Sequence, residues 1–83
     1  MSELVRSPKQ LGVALRRSRR AHGLSQTDLA NQAGLRQGTI SQVESGLETV
    51  KLSTVMDILR ALDLEIVVRQ RTKGSHSEIE DLF

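Results

Sequence analysis

Residues 25–46 read SQTDLANQAGLRQGTISQVESG, and this stretch decides the fold. Ser25 opens a helix, because its hydroxyl can accept an orphan backbone N–H of the first turn. Asp28, three residues on, stands where a capping-box acid reaches back to the cap, and its charge suits the positive helix end. Leu29, Ala30 and Ala33 then fall on one face at helical spacing. Gly34 stops the helix, since glycine enters the left-handed conformation without a Cβ penalty. Leu35 is a short apolar plug. A second helix runs from Gln37 to Ser45, with Ile40, Val43 and Leu47 facing inward, and Gly46 ends it as Gly34 ended the first.

The outward positions of the second helix are Arg36, Gln37, Gly38, Thr39, Ser41 and Gln42. All are polar or small, and only Arg36 is charged. A face that merely meets solvent normally carries Glu and Lys. A face that enters a DNA major groove needs side chains that bond base edges. Gln bonds adenine in a bidentate way, Ser and Thr bond several bases, and small residues allow close approach. Two short helices, a tight turn and this face read as a helix-turn-helix, with these six as the base-reading set. The alternative is an αα-hairpin in some other helical domain.

The pattern Gln26-x-x-Leu29-Ala30-x-x-x-Gly34-Leu35-x-x-x-x-Ile40-Ser41-x-x-Glu44-x-Gly46 resembles the lambda-repressor-like (XRE) family. That likeness implies a mostly α fold of four to five helices. In such domains an arginine of the first helix commonly pairs with the glutamate that ends the recognition helix. Here the matching positions are Arg19 and Glu44, a structural ion pair that fixes the angle between helices.

Outside this stretch the chain supplies one domain. With 83 residues its own core is marginal, so oligomerisation is expected. Phe83 is the one aromatic residue, so Leu, Ile, Val, Ala and Met must build the core. The absence of cysteine excludes disulfides and Cys-based zinc sites. No apolar run approaches the ~20 residues of a membrane span, and MSELVRSPKQ lacks a signal-peptide core. A cytoplasmic protein without cofactor or metal is expected.

The formal charge of +2 is unevenly spread. Residues 1–71 hold eleven Lys/Arg against seven Asp/Glu, whereas residues 72–83 hold Lys73 against Glu78, Glu80 and Asp81. A basic body suits DNA, and an acidic end suits a different partner.

Ser7-Pro8 starts the first long helix, with Ser7 as cap and Pro8 at the tolerated first position. It runs to about His22, where Gly23 ends it. Leu11, Ala14, Leu15, Ser18 and Ala21 form its inner stripe. Arg16, Arg17, Arg19 and Arg20 crowd its last turns, more than dipole compensation requires. Arg16 and Arg20, with Ser25, Gln26 and Lys51, are the candidate phosphate contacts. Ser53 is read as the cap of a last helix from Thr54 to about Leu62. Leu52, Val55, Met56, Leu59 and Leu62 make its apolar face, with Ile58 nearby. The organisation expected is a DNA-binding domain over 7–63, a dimerisation segment over 64–71 and an acidic tail over 72–83.

In Leu64-Glu65-Ile66-Val67-Val68-Arg69-Gln70-Arg71 three consecutive β-branched residues give a strand composition. No second strand occurs in the sequence, and a lone apolar edge invites aggregation. Pairing with the same strand of a second copy resolves this, through Leu64, Ile66, Val67 and Val68 across a two-fold axis. The alternatives are a fifth short helix or an extended arm packed on its own domain. In the tail, Ile79, Leu82 and Phe83 interrupt the polarity at a spacing that can dock on a partner; the alternative is a solvated end.

A helix-turn-helix followed by KLSTVMDILRALDLEIVVRQR resembles the HipB-type antitoxins, from about Ser7 to Arg71. That resemblance implies small dimers with a C-terminal strand shared between protomers and a flexible tail. It implies repression of the protein's own operon at palindromic operators, and neutralisation of a HipA-like Ser/Thr kinase toxin. The family's base-contact positions fall on Arg36, Gln37, Gly38 and Ser41, and Gly38 offers no side chain where other members place a larger residue. The competing function is a plain XRE regulator with no enzyme partner. Catalysis finds no support, since neither His22 nor His76 has a carboxylate or nucleophile at a suggestive spacing.

Overall fold

The computed structural model describes residues 3–71, and the acidic tail expected over 72–83, with Ile79, Leu82 and Phe83, lies outside them. Four helices follow in order: α1 (Pro8–Ala21), α2 (Gln26–Ala33), α3 (Gln37–Glu44) and α4 (Leu52–Ala61). Among the described residues there is no strand.

Local chemistry sets each boundary. Ser7 caps α1 by accepting from the Gln10 N–H at 3.1 Å, with Pro8 beside it. Ser25 and Asp28 form a reciprocal capping box on α2, each backbone N–H donating to the other's side chain at 3.0 Å. Three helices end in the same double hydrogen bond, in which the two residues after the cap return N–H groups to the last turn. On α1 these are Gly23 to Arg20 and Leu24 to Arg19; on α3, Gly46 to Val43 and Leu47 to Gln42. On α4 they are Asp63 to Arg60 and Leu64 to Leu59. Asp63 takes the left-handed position there, at φ 58°, although it is not glycine.

The core is Leu15, Leu29, Ala30, Ala33, Ile40, Val43, Val55, Ile58, Leu59 and Leu62, each buried. Leu11, Leu24, Leu35 and Val50 close its rim. Burying one such large aliphatic side chain contributes ~1.5–3 kcal/mol, so this aliphatic set replaces the aromatics the chain lacks. The crossing of α1 over the end of α3 is made by backbone. A Cβ on Gly12 would lie 2.5 Å from the carbonyl oxygens of Val43 and Glu44, so only glycine fits.

Three expectations change. Leu47 is 42% exposed rather than inward, because the hydrogen bond to Gln42 that closes α3 turns it past the core. The last helix starts two residues earlier than Thr54, with Lys51 at its cap and no side-chain cap bond, so Ser53 is not the cap. With that start, Val55, Ile58, Leu59 and Leu62 form the buried stripe, while Leu52 and Met56 stand 68% and 48% exposed. Ala21 is also exposed.

The segment 64–71 forms neither a fifth helix nor a strand. Val67 and Val68 are 72% and 93% exposed. Leu64 and Ile66 border a shallow groove with Met56 and Leu59, which continues the uncovered side of α4.

Candidate nucleic-acid interface

Recognition requires a helix whose outer face carries donors and acceptors and little negative charge. The only carboxylate of α3 is Glu44, and it is turned inward. Arg19 Nε donates to Glu44 Oε2 at 2.6 Å and Nη2 to Oε1 at 3.1 Å, a bidentate pair. Arg19 Nη1 donates to the Leu24 carbonyl at 2.7 Å, which ties the end of α1 to the entry of α2. The two side chains are only 9% and 5% exposed. Burial pushes the Glu44 carboxyl up, but hydrogen bonds from Arg19 and Gln26 and the charges of Arg19 and Arg16 outweigh it. Its pKa lies below the usual carboxylate value. The Arg19 pKa is raised, chiefly by its bond to Glu44.

From this buried pair a hydrogen-bonded chain runs outward. Gln26 Nε2 donates to Glu44 Oε1 at 3.1 Å, and Gln37 Nε2 donates to Gln26 Oε1 at 2.6 Å. The first residue of α2 is thereby joined to the first residue of α3. Sequence reading had assigned Gln26 and Gln37 separate tasks. The usable signal was that each long amide opens one of the two helices of the motif.

The other candidates are placed as follows. Arg36, Gln37, Gly38, Ser41 and Gln42 are exposed, whereas Thr39 is half-buried against the domain. Arg36 occupies the cap position of α3 with extended backbone and no side-chain cap bond, so its guanidinium is not used to hold the helix. Arg16, Arg20, Ser25 and Lys51 are exposed, Arg16 and Arg20 one turn apart on α1. The Ser25 oxygen accepts from the Asp28 N–H, and its hydroxyl also stabilises the Asp28 carboxylate, so Ser25 is occupied within its own cap. Arg17, not among the candidates, binds Glu3 at 2.9 Å in an exposed pair of little energetic weight. His22 Nδ1 is 2.8 Å from the Ser18 carbonyl, a helix-end contact.

A family model described as a helix-turn-helix domain matches residues 10–72. Antitoxin HipB of Escherichia coli K12 is 32% identical over 76 residues, covering 92% of this chain and 86% of that protein. The chain belongs to the HipB family. A chain of the solved HipA–HipB–O2–O3 complex is similar to this HipB-family chain with a TM-score of 0.79 and 31% identity, covering 86% of this chain and 100% of that one. An HTH-type transcriptional regulator of Sinorhizobium fredii, y4dL, is 46% identical over 54 residues, 65% of this chain, but the match spans only 28% of its length. The HipB-family chain thus carries a helix-turn-helix DNA-binding fold, and among the described residues no helix is long and apolar enough to cross a membrane.

Proposed function

We propose that this protein is a dimeric, operator-binding repressor that also serves as antitoxin to a HipA-like Ser/Thr kinase. Residues 7–63 bind DNA, 64–71 join two copies as an antiparallel strand pair, and 72–83 engage the kinase through Ile79, Leu82 and Phe83. Arg36, Gln37, Gly38, Thr39, Ser41 and Gln42 face the bases, with Thr39 limited to an edge contact by its burial. Arg16, Arg20, Gln26 and Lys51 hold the phosphates. The observation that carries the proposal is the carboxylate-free outer face of α3 in a chain that aligns with HipB over 92% of its residues. Repression follows from occupancy: two recognition helices related by a two-fold axis require a palindromic site, and the dimer covers it.

As an inhibitor the chain has no chemistry of its own to contribute. It acts by mass, as a dimer seated on the kinase, with apolar tail anchors worth ~1.5–3 kcal/mol each when buried in a pocket. The test is calorimetry of the full chain and a 78–83 deletion against the kinase encoded beside it. The deletion is expected to weaken kinase binding and leave DNA affinity unchanged. Equal affinities would return the tail to a solvated end.

The second reading is a plain regulator without an enzyme partner. The 46% identity to the longer Sinorhizobium regulator, confined to 54 residues, favours it. Failure of the full chain to bind any neighbouring kinase would select that reading.

A further inference from the structure

We infer that Glu44, which touches no base, sets which purine Gln37 reads, by fixing the polarity of two amides in series. The inference rests on the direct readout proposed for Gln37. A carboxylate offers acceptors only, so the Gln26 amide must turn its NH2 group inward to Glu44. Its oxygen then faces Gln37, which must answer with its own NH2 group. One hydrogen of that group is used at Gln26. What remains for DNA is the other hydrogen and the carbonyl oxygen. A donor beside an acceptor is the complement of adenine, whose N7 accepts and whose N6 donates. A Gln37 amide of opposite polarity would present two donors, the complement of N7 and O6 of guanine.

Arg19 holds the Glu44 carboxylate in place. It gives only donors, and its Nε and Nη2 occupy both oxygens of Glu44, Oε1 being shared with Gln26. Were Glu44 an amide, the constraint would be lost. Its oxygen at Oε1 would keep the native polarity, whereas its NH2 group there would invert Gln26 and Gln37 after it. Glu44 is a positioning residue, and its effect is confined to the one base pair under Gln37.

The experiment is selection of duplexes from a random-sequence library by the full chain, followed by sequencing. Gln37→Ala identifies the base pair that Gln37 reads, as the position that loses its preference. The native protein is expected to favour adenine over guanine there by about tenfold or more. Glu44→Gln is expected to reduce that preference to about twofold, because both amide polarities become available, and to leave the other positions as they were. Retention of the full adenine preference, or an equal loss at every position as loosened packing would produce, overturns the inference. Should Glu44→Gln melt below the assay temperature, Gln26→Ala breaks the series with the ion pair intact. It is expected to reduce the adenine preference at the same position to about twofold, against a uniform loss elsewhere from the missing phosphate contact. An unchanged preference overturns the inference. A Gln37→Ala protein that selects the native sequence overturns the direct readout itself.

Discussion

At the scale of single residues, the pair Arg19 and Glu44 carries more stability than its count suggests. Both side chains are almost wholly withdrawn from water. Arg19→Ala leaves a buried carboxylate without its partner, and the expected loss is ~3–5 kcal/mol in urea denaturation. The same carboxyl gives a pH dependence. Its folded pKa lies below the unfolded value, so its contribution is complete above the ordinary carboxylate range and is lost as pH falls through the folded pKa. Asp28 acts in the same sense, held down by the Ser25 backbone N–H and then the Ser25 hydroxyl. Melting temperature is therefore expected to hold on acidification to about pH 5 and to drop below about pH 4. The capping box was legible in the sequence because both members lie within one helical turn. Arg19 and Glu44 are 25 residues apart, and only the family likeness placed them together. The Gln26–Gln37 contact was not legible, because it depends on how closely two helix starts approach.

Among the elements, α3 and α4 show where hydrophobic spacing informs and where it misleads. The outer face of α3 is polar or small at each exposed position, and the turn glycines fixed its ends to within a residue. Gln37→Ala is expected to cost ~1–3 kcal/mol on the operator and little on random DNA, measured by fluorescence anisotropy. Arg20→Ala is expected to weaken both alike and to flatten the dependence on salt. In α4 the apolar residues surround the helix, so spacing alone did not say which side meets the core. Leu52 and Met56 were assigned inward for that reason. The start was misplaced because Ser53 has the chemistry of a cap without its position. Asp63, in the left-handed conformation after α4, is strained for a residue with a Cβ. Asp63→Gly is expected to stabilise the protein by about 1 kcal/mol in thermal unfolding, since it relieves that strain while keeping both closing hydrogen bonds.

For the whole molecule, apolar surface stays uncovered around the end of α4. Met56, Leu64 and Ile66 border one shallow groove there, and Leu52, Val67 and Val68 are exposed as well. The β-branched composition of that segment was legible; its partner was not, since strand pairing between copies leaves no trace in one chain's local pattern. Val67→Pro removes a backbone donor and is expected to yield monomers or aggregates in sedimentation velocity. An intact dimer from that variant would remove the strand from the assembly. The crossing at Gly12 bears on how such a protein changes its address. Because α1 holds the far end of α3 through the close approach at Gly12 and the inward Glu44, the grip is indifferent to what the outward side chains of α3 are. Residues 36–42, apart from the buried Ile40, can be exchanged as a cassette while the mounting stays the same. If the chain reads an operator as proposed, it can therefore change that operator through a handful of outward substitutions while the seat of α3 is kept.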